Sequence, residues 1–485
     1  MGHKLSADPI FDTLRVRLRS VRACAHIEGM LNLAGRMRAL LVDGGNMTIE
    51  ATTLERTVIR RLTCRIAPLL FCGVFLGYLD RVNVAFAALT MNASLGLSPS
   101  AYGWGASVFF LGYLLFEIPG TLCLARFGSK RCMAAFLAVW GILSALMSQV
   151  GSLGTFLPLR FFIGAAEAGF FPGTILFMSY WVPAAHRSRF GAYFMLAIPL
   201  SIVVGGPVSG LILTHMHHIG GLQGWRWLFI VEGLPSVALA LAWFILVEDR
   251  PENAAWLTKA EHDWLSGVLR LEASAKSGAG EPFRWRSIFN TRVLLLCAVQ
   301  AGCPAVSVGV TMWLPQVVKE FGLSLVQVGF ICAVPFGVGA VAMWYWSSHS
   351  DRTGERRWHL TLSPLMTAAG LALSLATPSP VLKFACLLLA SLGMFAFLPL
   401  VWAISHRLFA DAAAPVGYAI VNMGSAAAGF LSPYLLGVLK ERTGTYEAGV
   451  AVLAVIGFLT AACAYRLLSP ENAERARPAL NSGSV

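Results

Sequence analysis

Two short segments, Leu-Ala-Arg-Phe-Gly-Ser-Lys-Arg at 124–131 and Ser-Asp-Arg-Thr-Gly-Glu-Arg-Arg at 350–357, share one pattern of glycine and basic residues. Each lies between two long apolar runs, and the two segments align at one constant offset. The same offset carries Pro207 onto Pro433. These matches predict that a six-helix unit has been duplicated, with the hydrophilic stretch 248–292 joining the two copies.

The composition of the chain predicts a membrane protein. Of its 485 residues, 56% are hydrophobic and only 13% are charged, whereas soluble domains have about 25% charged residues. This excludes an ordinary cytosolic enzyme, a secreted disulfide scaffold and a disordered regulator. Apolar runs of about 20 residues are long enough to cross a bilayer. Twelve such runs occur, at 66–90, 101–122, 132–150, 156–181, 190–213, 226–247, 293–316, 326–346, 359–376, 381–402, 415–438 and 446–466.

The distribution of basic residues predicts the orientation. If the N-terminus is cytoplasmic, 30 of the 37 lysines and arginines fall in cytoplasmic segments and 4 in outside loops. By the positive-inside rule, both termini of this multi-pass protein of the cell (inner) membrane are cytoplasmic. The net charge of +12 then faces anionic lipid, and no nucleic-acid partner is needed to explain it. The ten cysteines include no Cys-x-x-Cys pair, so no metal or cofactor is predicted.

The predicted fold is an all-α membrane protein with twelve transmembrane helices in two six-helix bundles. Residues 1–65 form a basic cytoplasmic region, in which 1–46 is interpreted as a dispensable extension ahead of Met47 or as a basic arm on the membrane surface. The remaining predicted parts are the N-terminal bundle 66–247, the cytoplasmic linker 248–292, the C-terminal bundle 293–466 and the cytoplasmic tail 467–485. Two packed halves of this kind suggest alternating access by a monomer.

Ionisable residues inside the predicted spans are few and belong to the first half. They are Asp80, Arg81, Glu117, Arg160, Glu167 and, nearer a span end, Arg226 and Glu232. Each costs about 2.5–3.5 kcal/mol to insert, so it needs a partner or a function. The repeat offset carries Asp80, Arg81, Arg160 and Glu167 onto Val306, Ser307, Cys386 and Gly393. We therefore predict that the N-terminal half handles charge and ion coupling, and that the C-terminal half supplies shape and neutral contacts.

Structural roles stay open for several of these residues. Glu117 could tether the neighbouring basic loop or contact substrate, and Asp80 could pack between helices beside an arginine. Arg226 and Glu232 are interpreted as interfacial or paired. Arg160 and Glu167 share one helix face two turns apart, which is too far for a tight ion pair within the helix.

The two loops resemble the signature loop of the major facilitator superfamily, Gly-x-x-x-Asp-Arg-x-Gly-Arg-Arg. The second copy fits the pattern well, whereas the first has Thr121 in place of the usual glycine and Ala125 in place of the usual aspartate. The resemblance implies a loop that latches one transport state through charge pairing. The residues that match this gating loop are Arg126, Gly128, Lys130, Arg131, Asp351, Arg352, Gly354, Arg356 and Arg357.

Three further stretches resemble the anion:cation symporter branch of that superfamily. They are Tyr-Leu-Asp-Arg-Val-Asn at 78–83, Phe-Glu-Ile-Pro at 116–119 and Arg-Phe-Phe-Ile-Gly-Ala-Ala-Glu-Ala-Gly-Phe-Phe-Pro-Gly at 160–173, within a resemblance that covers roughly residues 60–466. Members of the branch carry organic anions such as tartrate, phthalate, glucarate, galactonate or nicotinate. The resemblance implies that Asp80 and Glu167 are the proton-coupling carboxylates. It also implies substrate-binding roles for Tyr78, Arg81, Tyr113, Arg160 and Asn422.

The sequence thus predicts a secondary transporter that takes up a small organic anion with protons, and not an enzyme. Dicarboxylates, sugar acids and aromatic acids all remain open, as does sodium in place of protons. The alternatives are an exchanger or exporter of similar anions, or a sensor with a transporter fold. The hypothesis requires Asp80, Arg160 and Glu167 to face a central cavity opposite a largely uncharged wall.

Overall fold

The computed structural model describes residues 53–277, 291–408 and 414–469, with the side chains of 273, 275–277, 406–408 and 414–420 left out. The predictions for the extension 1–46, the linker residues 278–290 and the tail beyond 469 lie outside the described residues.

The α-helices are α1 (53–65), α2 (Ala67–Leu95), α3 (Pro99–Phe127), α4 (Ser129–Leu146), α5 (Leu153–Glu167), α6 (Phe170–Trp181), α7 (Ala184–His215), α8 (Gly224–Leu246), α9 (Lys259–Ser277), α10 (Thr291–Lys319), α11 (Leu325–Thr353), α12 (Arg357–Leu375), α13 (Pro380–Met394), α14 (Phe397–Leu408), α15 (Ala414–Thr443) and α16 (Glu447–Leu467).

The chain divides into two compact units. Of the described residues, the smaller unit combines 53–61 with Leu257–Leu265, and within it the Arg61 Nη1 atom lies 2.7 Å from Glu261 Oε2. The larger unit comprises Leu62–Trp256 and the described residues from Ser266 onward, and it contains the predicted spans.

The helices confirm the predicted twelve-span membrane fold. Ten helical segments of the described chain are long and apolar enough to cross a bilayer, and the predicted ninth and eleventh spans are the helices α12 and α15. Large apolar side chains on their outer faces are exposed, among them Leu241 at 63%, Val341 at 67% and Val381 at 77%. Such surfaces suit lipid and are too apolar for water.

The fourth and tenth spans differ from the prediction, because each is broken into two helices. The first break separates α5 from α6 at Ala168, and the second separates α13 from α14 at Phe395. A proline four residues later explains both breaks, since Pro172 and Pro399 lack the N–H that would bond to those two carbonyl groups. The breaks fall within one residue of equivalent places in the two halves, so the duplication extends to the irregularities of the helices.

Two seams of close backbone packing join the halves at the end where α3 and α11 begin. In the α3–α15 seam, a methyl group on Gly103 would lie 2.6 Å from the Pro433 carbonyl oxygen. In the α7–α11 seam, a methyl group on Gly329 would lie 2.3 Å from the Gly206 carbonyl oxygen. Gly103 and Gly329 are equivalent in the repeat, so one contact is used twice to close this end.

Candidate functional site

A cavity of about 170 Å³ lies between the two halves of the larger unit. Four of the predicted substrate-binding residues line it, and they come from three helices. These are Tyr78 and Arg81 of α2, Tyr113 of α3 and Asn422 of α15. The structure thus brings together residues that are more than three hundred positions apart in the chain.

Arg81 connects the cavity to a buried carboxylate. Its Nε atom donates a hydrogen bond to Glu167 Oε1 at 2.7 Å, and the side chain of Glu167 is only 4% exposed. Within the described chain, Glu167 Oε2 has no hydrogen-bond partner. The cation of the cavity wall is therefore held by an acid that lies directly behind it and keeps one free oxygen.

Three aromatic rings fix the orientation of this guanidinium. The Arg81 Cζ atom lies 4.6 Å from the ring centroid of Tyr78, 4.8 Å from that of Tyr113 and 5.4 Å from that of Phe109. Such contacts favour a cation at the face of a ring. They hold Arg81 at the cavity without a second carboxylate.

Glu117 makes a contact between the two halves. Asn422 Nδ2 donates a hydrogen bond to Glu117 Oε1, so Glu117 reaches the cavity residue Asn422 of the opposite half. Glu117 itself is not among the described residues that line the cavity, so substrate contact and tethering of the basic loop both stay predictions.

The C-terminal wall of the cavity offers neutral polar groups. Gln300, Ser307, Thr311 and Ser425 line it. The carbonyl oxygen of the Gln300 side chain is buried and has no partner in the described structure. Ser307 is the repeat equivalent of Arg81, so one position gives a charge on one wall and a hydroxyl on the other.

Arg160 lies behind the cavity. It is 1% exposed, its Nε atom donates to the Gly105 carbonyl oxygen at 3.4 Å, and its guanidinium lies 4.8 Å from the Phe109 ring centroid. A methyl group on Gly164 would lie only 1.9 Å from the Phe109 carbonyl oxygen, so α5 packs directly on α3 here. This close packing leaves Arg160 between helices.

Asp80 points to the interior of the N-terminal bundle. Its Oδ1 atom accepts hydrogen bonds from Ser144 Oγ at 2.7 Å and from Asn83 Nδ2 at 3.1 Å. Asp80 and Arg81 are about 100° apart around α2, because they are adjacent on a helix. When Arg81 faces the cavity, Asp80 therefore faces α4.

The expectation that Asp80, Arg160 and Glu167 face the cavity directly is wrong for this conformation. None of the three is among the described residues that line it, and all three are buried. Helical periodicity predicted which residues share a face, but the cavity wall is formed by their neighbours Tyr78, Arg81 and Tyr113.

The interfacial position considered for Glu232 is wrong. Interpreted from the sequence as interfacial or paired, Glu232 is 2% exposed in the core of the bundle, where Ser209 Oγ donates to its Oε1 atom at 3.0 Å. Its position within the predicted sixth span was the signal available in the sequence.

The first signature loop is held by two acidic residues that follow the end of α8. Asp249 Oδ1 accepts from the Lys130 backbone N–H at 2.7 Å, and Lys130 Nζ lies 3.2 Å from Glu248 Oε2. Gly128 has a positive φ of 87°, and Arg126 and Arg131 are exposed. Asp249 thus accepts a hydrogen bond from a backbone N–H group at the start of α4 that has no partner within the helix. It does so in the half whose loop has Ala125 in place of the usual aspartate.

The second signature loop is held mainly by its own residues. Arg356 Nη2 lies 2.9 Å from Asp351 Oδ1, and Gly354 has a φ of 68°. Arg357 stacks on Tyr465 with its Cζ atom 3.9 Å from the ring centroid, while Arg352 is exposed. The predicted gating residues are therefore grouped at two equivalent loops that are stabilised differently.

Comparison with known proteins agrees with this architecture. The sequence profile of the Major Facilitator Superfamily matches residues 70–433 and 350–483. Two proteins of Agrobacterium vitis, each named "Putative tartrate transporter", are 39% and 40% identical over 426 and 428 residues. Both alignments cover 88% of this chain, and they cover 94% and 98% of the relatives.

A solved structure shows the same fold. The xylose transporter XylE from E. coli, in a partially occluded inward-open conformation, matches with a TM-score of 0.67 over 84% of this chain and 98% of that protein, at 15% identity. Together with the helical architecture and the central cavity, these matches show that the chain is a multi-pass membrane transporter of the major facilitator superfamily, and not an enzyme.

Proposed function

We propose that this transporter takes up a small organic anion together with protons by alternating access, as a monomer in the cell inner membrane with both termini in the cytoplasm. The distribution of lysine and arginine supports this orientation. The end closed by the two glycine seams then faces the outside.

The observation that carries the proposal is the Arg81–Glu167 pair at the cavity wall. Glu167 and a substrate carboxylate would compete for one guanidinium, which Glu167 contacts at 2.7 Å. Protonation of Glu167 removes that competition, and an anion at Arg81 in turn favours the protonated acid. Binding of proton and anion is therefore mutually favourable, as coupled transport requires.

Asp80 is the second proton carrier in this proposal. It is buried, and its Oδ2 atom lacks a partner among the described residues. In this conformation Arg160 lies behind the cavity. Direct contact of Arg160 with substrate would need another state of the transport cycle.

The chemistry of the cavity favours an organic acid that carries hydroxyl groups. Arg81 can anchor one carboxylate. Ser307 and Thr311 can donate or accept hydrogen bonds, and the unpartnered Gln300 oxygen can accept one from a substrate hydroxyl. Since the two relatives from Agrobacterium vitis are named for tartrate, tartrate is the first compound to test.

The test is uptake of labelled tartrate into proteoliposomes that contain the full chain, with an inward proton gradient. We expect accumulation that a protonophore abolishes. Glu167→Gln should lose gradient-driven accumulation and keep exchange of tartrate across the membrane, because the neutral amide mimics the protonated acid. Asp263→Asn, which changes an exposed acid, is the matched control and should transport normally.

Two results would contradict the proposal. Proton-driven accumulation that survives Glu167→Gln would remove Glu167 from the coupling. Tartrate uptake that requires internal organic acid, whatever the pH gradient, would identify an exchanger. A series from tartrate to malate to succinate tests the hydroxyl contacts, because each lost hydroxyl should weaken competition with labelled tartrate.

A further inference from the structure

We propose that Cys123 and Cys132 form a redox modification site, a pair of thiols that a low-molecular-weight disulfide oxidises to a disulfide bond within the chain. Their Sγ atoms lie 3.4 Å apart. The two residues directly flank the first signature loop, 124–131, so the bond would close a ring around the whole loop. The inference is independent of proton coupling, and only the side of the membrane rests on the orientation given in the proposed function.

The ends of two helices bring the thiols together. Cys123 lies one turn before the end of α3 and Cys132 lies in the first turn of α4. Gly128, with its φ of 87°, makes the turn between them. Cys132 Sγ also donates to the Cys123 carbonyl oxygen at 3.3 Å. The start of α4 is therefore packed directly against the last turns of α3.

The observed contact needs little movement to become a bond. A disulfide joins its sulfur atoms at about 2.05 Å, so the two Sγ atoms would have to approach by about 1.4 Å. Rotation about the Cα–Cβ bonds moves sulfur atoms over such distances and leaves the backbone in place. The cysteines that the structure describes are all free thiols, and among them no other two Sγ atoms are in hydrogen-bonding contact.

Helix packing alone does not require two thiols here. The repeat offset carries Cys123 onto His349 and Cys132 onto Trp358. At the second signature loop, His349 Nδ1 lies 2.8 Å from Nε2 of His359, the residue after Trp358. Each half thus joins two helix ends across its loop by a pair of side chains, but only the sulfur pair of the first half can become covalent.

The two thiols differ in exposure, and this difference sets the order of the reaction. Cys132 is 5% exposed, whereas Cys123 is half-buried. A reagent from solution therefore meets Cys123 first. Cys132 already lies beside the sulfur that the reagent would modify, and this proximity favours closure of the ring over a lasting mixed disulfide.

With oxidised glutathione as the reagent, the oxidation consists of two thiol–disulfide exchanges. The Cys123 thiolate attacks one sulfur of the glutathione disulfide, forms a mixed disulfide and releases one glutathione thiolate. The Cys132 thiolate then attacks the Cys123 sulfur, closes the ring and releases the second glutathione thiolate. The two protein thiols lose two electrons and two protons. The glutathione disulfide takes up the electrons, and the protons end on the two released glutathione molecules.

The proposed orientation places this loop on the cytoplasmic side. A reducing cytoplasm keeps the pair as thiols, and the ring forms when the ratio of oxidised to reduced glutathione rises. The bond would hold the ends of α3 and α4 together covalently. At present the contacts of Lys130 with Asp249 and Glu248 hold the loop.

The experiment treats the purified full chain with oxidised glutathione at mildly alkaline pH, blocks the remaining thiols with N-ethylmaleimide and digests the protein without reductant. Trypsin cleaves after Arg126, Lys130 and Arg131, all inside the ring. The peptide that ends at Arg126 and the peptide that starts at Cys132 therefore stay joined only through the proposed disulfide. We expect mass spectrometry to find the joined peptides in most of the protein, and dithiothreitol should separate them.

Matched variants and an unfolded sample serve as controls. Cys123→Ser should abolish the joined peptides, whereas Cys64→Ser, which removes an exposed thiol elsewhere, should leave them unchanged. Protein unfolded in dodecyl sulfate should form a mixture of cysteine pairs.

Three results would overturn the inference. The first is folded protein in which both cysteines carry only glutathione or maleimide. The second is equal formation of the joined peptides in folded and unfolded protein, because the fold would then not bring the thiols together. The third is joined peptides that occur only in the dimer band of a non-reducing gel, because the bond would then link two molecules.

Membrane vesicles test the side of the membrane separately. Oxidised glutathione does not cross the bilayer, so inside-out vesicles should form the joined peptides and right-side-out vesicles should not. The opposite result would support the thiol pair and overturn the orientation in the proposed function. Failure to form the joined peptides on either side would overturn this inference and leave the proposed symport standing.

Discussion

The two halves of the molecule have the same scaffold and opposite chemistry. Both break one helix four residues before a proline, at Ala168 and at Phe395, and both place an equivalent glycine in a seam. Yet Arg81 on one cavity wall corresponds to Ser307 on the other. The comparison shows that helix packing preserved the backbone of the duplicated unit, while single side chains divided the tasks of charge and shape between the copies.

The largest expected effect comes from making the two walls alike. Arg81→Ser gives the N-terminal wall the same residue that the C-terminal wall has at the equivalent position, Ser307. We expect proton-driven uptake to fall by about 100-fold or more, because breaking a buried ion pair costs about 3–5 kcal/mol and leaves Glu167 uncompensated. Labelled uptake in proteoliposomes measures the loss.

A double variant separates an effect on stability from an effect on transport. Arg81→Ser combined with Glu167→Gln should regain much of the thermal stability, since the uncompensated acid is gone, without regaining uptake. Arg189→Ser, at an exposed position, is the control. Normal uptake by Arg81→Ser would mean that the difference between the walls does not matter for transport.

An intermediate effect is expected at the two seams, and it tests their equivalence. Gly103→Val and Gly329→Val each insert a side chain where a methyl group would already lie 2.6 or 2.3 Å from a carbonyl oxygen. Each should hold the outer end open and reduce uptake by about tenfold. To measure this, a cysteine is placed beside each seam and labelled with a membrane-impermeant thiol reagent. The labelling should rise for both variants. A rise at only one seam would show that the halves do not close alike.

The smallest effect concerns a contact that only the α3–α15 seam makes among those described. Glu441, beyond the predicted eleventh span, accepts hydrogen bonds from Ser98 Oγ and from the Ser100 backbone N–H, both at 2.9 Å. The hydroxyl and the backbone N–H of Ser100, together with the hydroxyl of Ser98, stabilise the ionised carboxylate. They hold the pKa of Glu441 below its usual range.

A lowered pKa gives the pH dependence a definite sign. The closure that Glu441 stabilises is fully present above the usual pKa of a glutamate, and it weakens as the pH falls through the lowered value. Glu441→Gln should raise thiol labelling beside the α3–α15 seam a few-fold at neutral pH and make that labelling less sensitive to acid. Equal pH sensitivity of wild type and variant would contradict this assignment.

Much of the fold was predictable because it depends on patterns within the chain. Hydropathy predicted the spans, and the loops at 124–131 and 350–357 revealed the duplication. The breaks at Ala168 and Phe395 were missed, although Pro172 and Pro399 were visible, because prolines within other spans leave their helices continuous. Whether a proline breaks a helix depends on the packing around it.

Four predicted binding residues line the cavity, but the depth of the buried charged residues was not predictable from the sequence. Periodicity gives the direction of a side chain around its own helix, and this separated Asp80 from Arg81 correctly. It does not give the distance from a cavity, which depends on what packs in front. Arg160 packs against Phe109, and Glu167 lies behind Arg81, and both contacts involve residues of other helices.

The neutral wall has a practical consequence for protein engineering. Since Gln300, Ser307 and Thr311 take no part in the described ion pairs, their side chains can be varied to accept substrates of new shape while the opposite wall keeps the Arg81–Glu167 pair. If the proposed symport holds, a library restricted to those three codons should alter selectivity and leave the proton coupling unchanged.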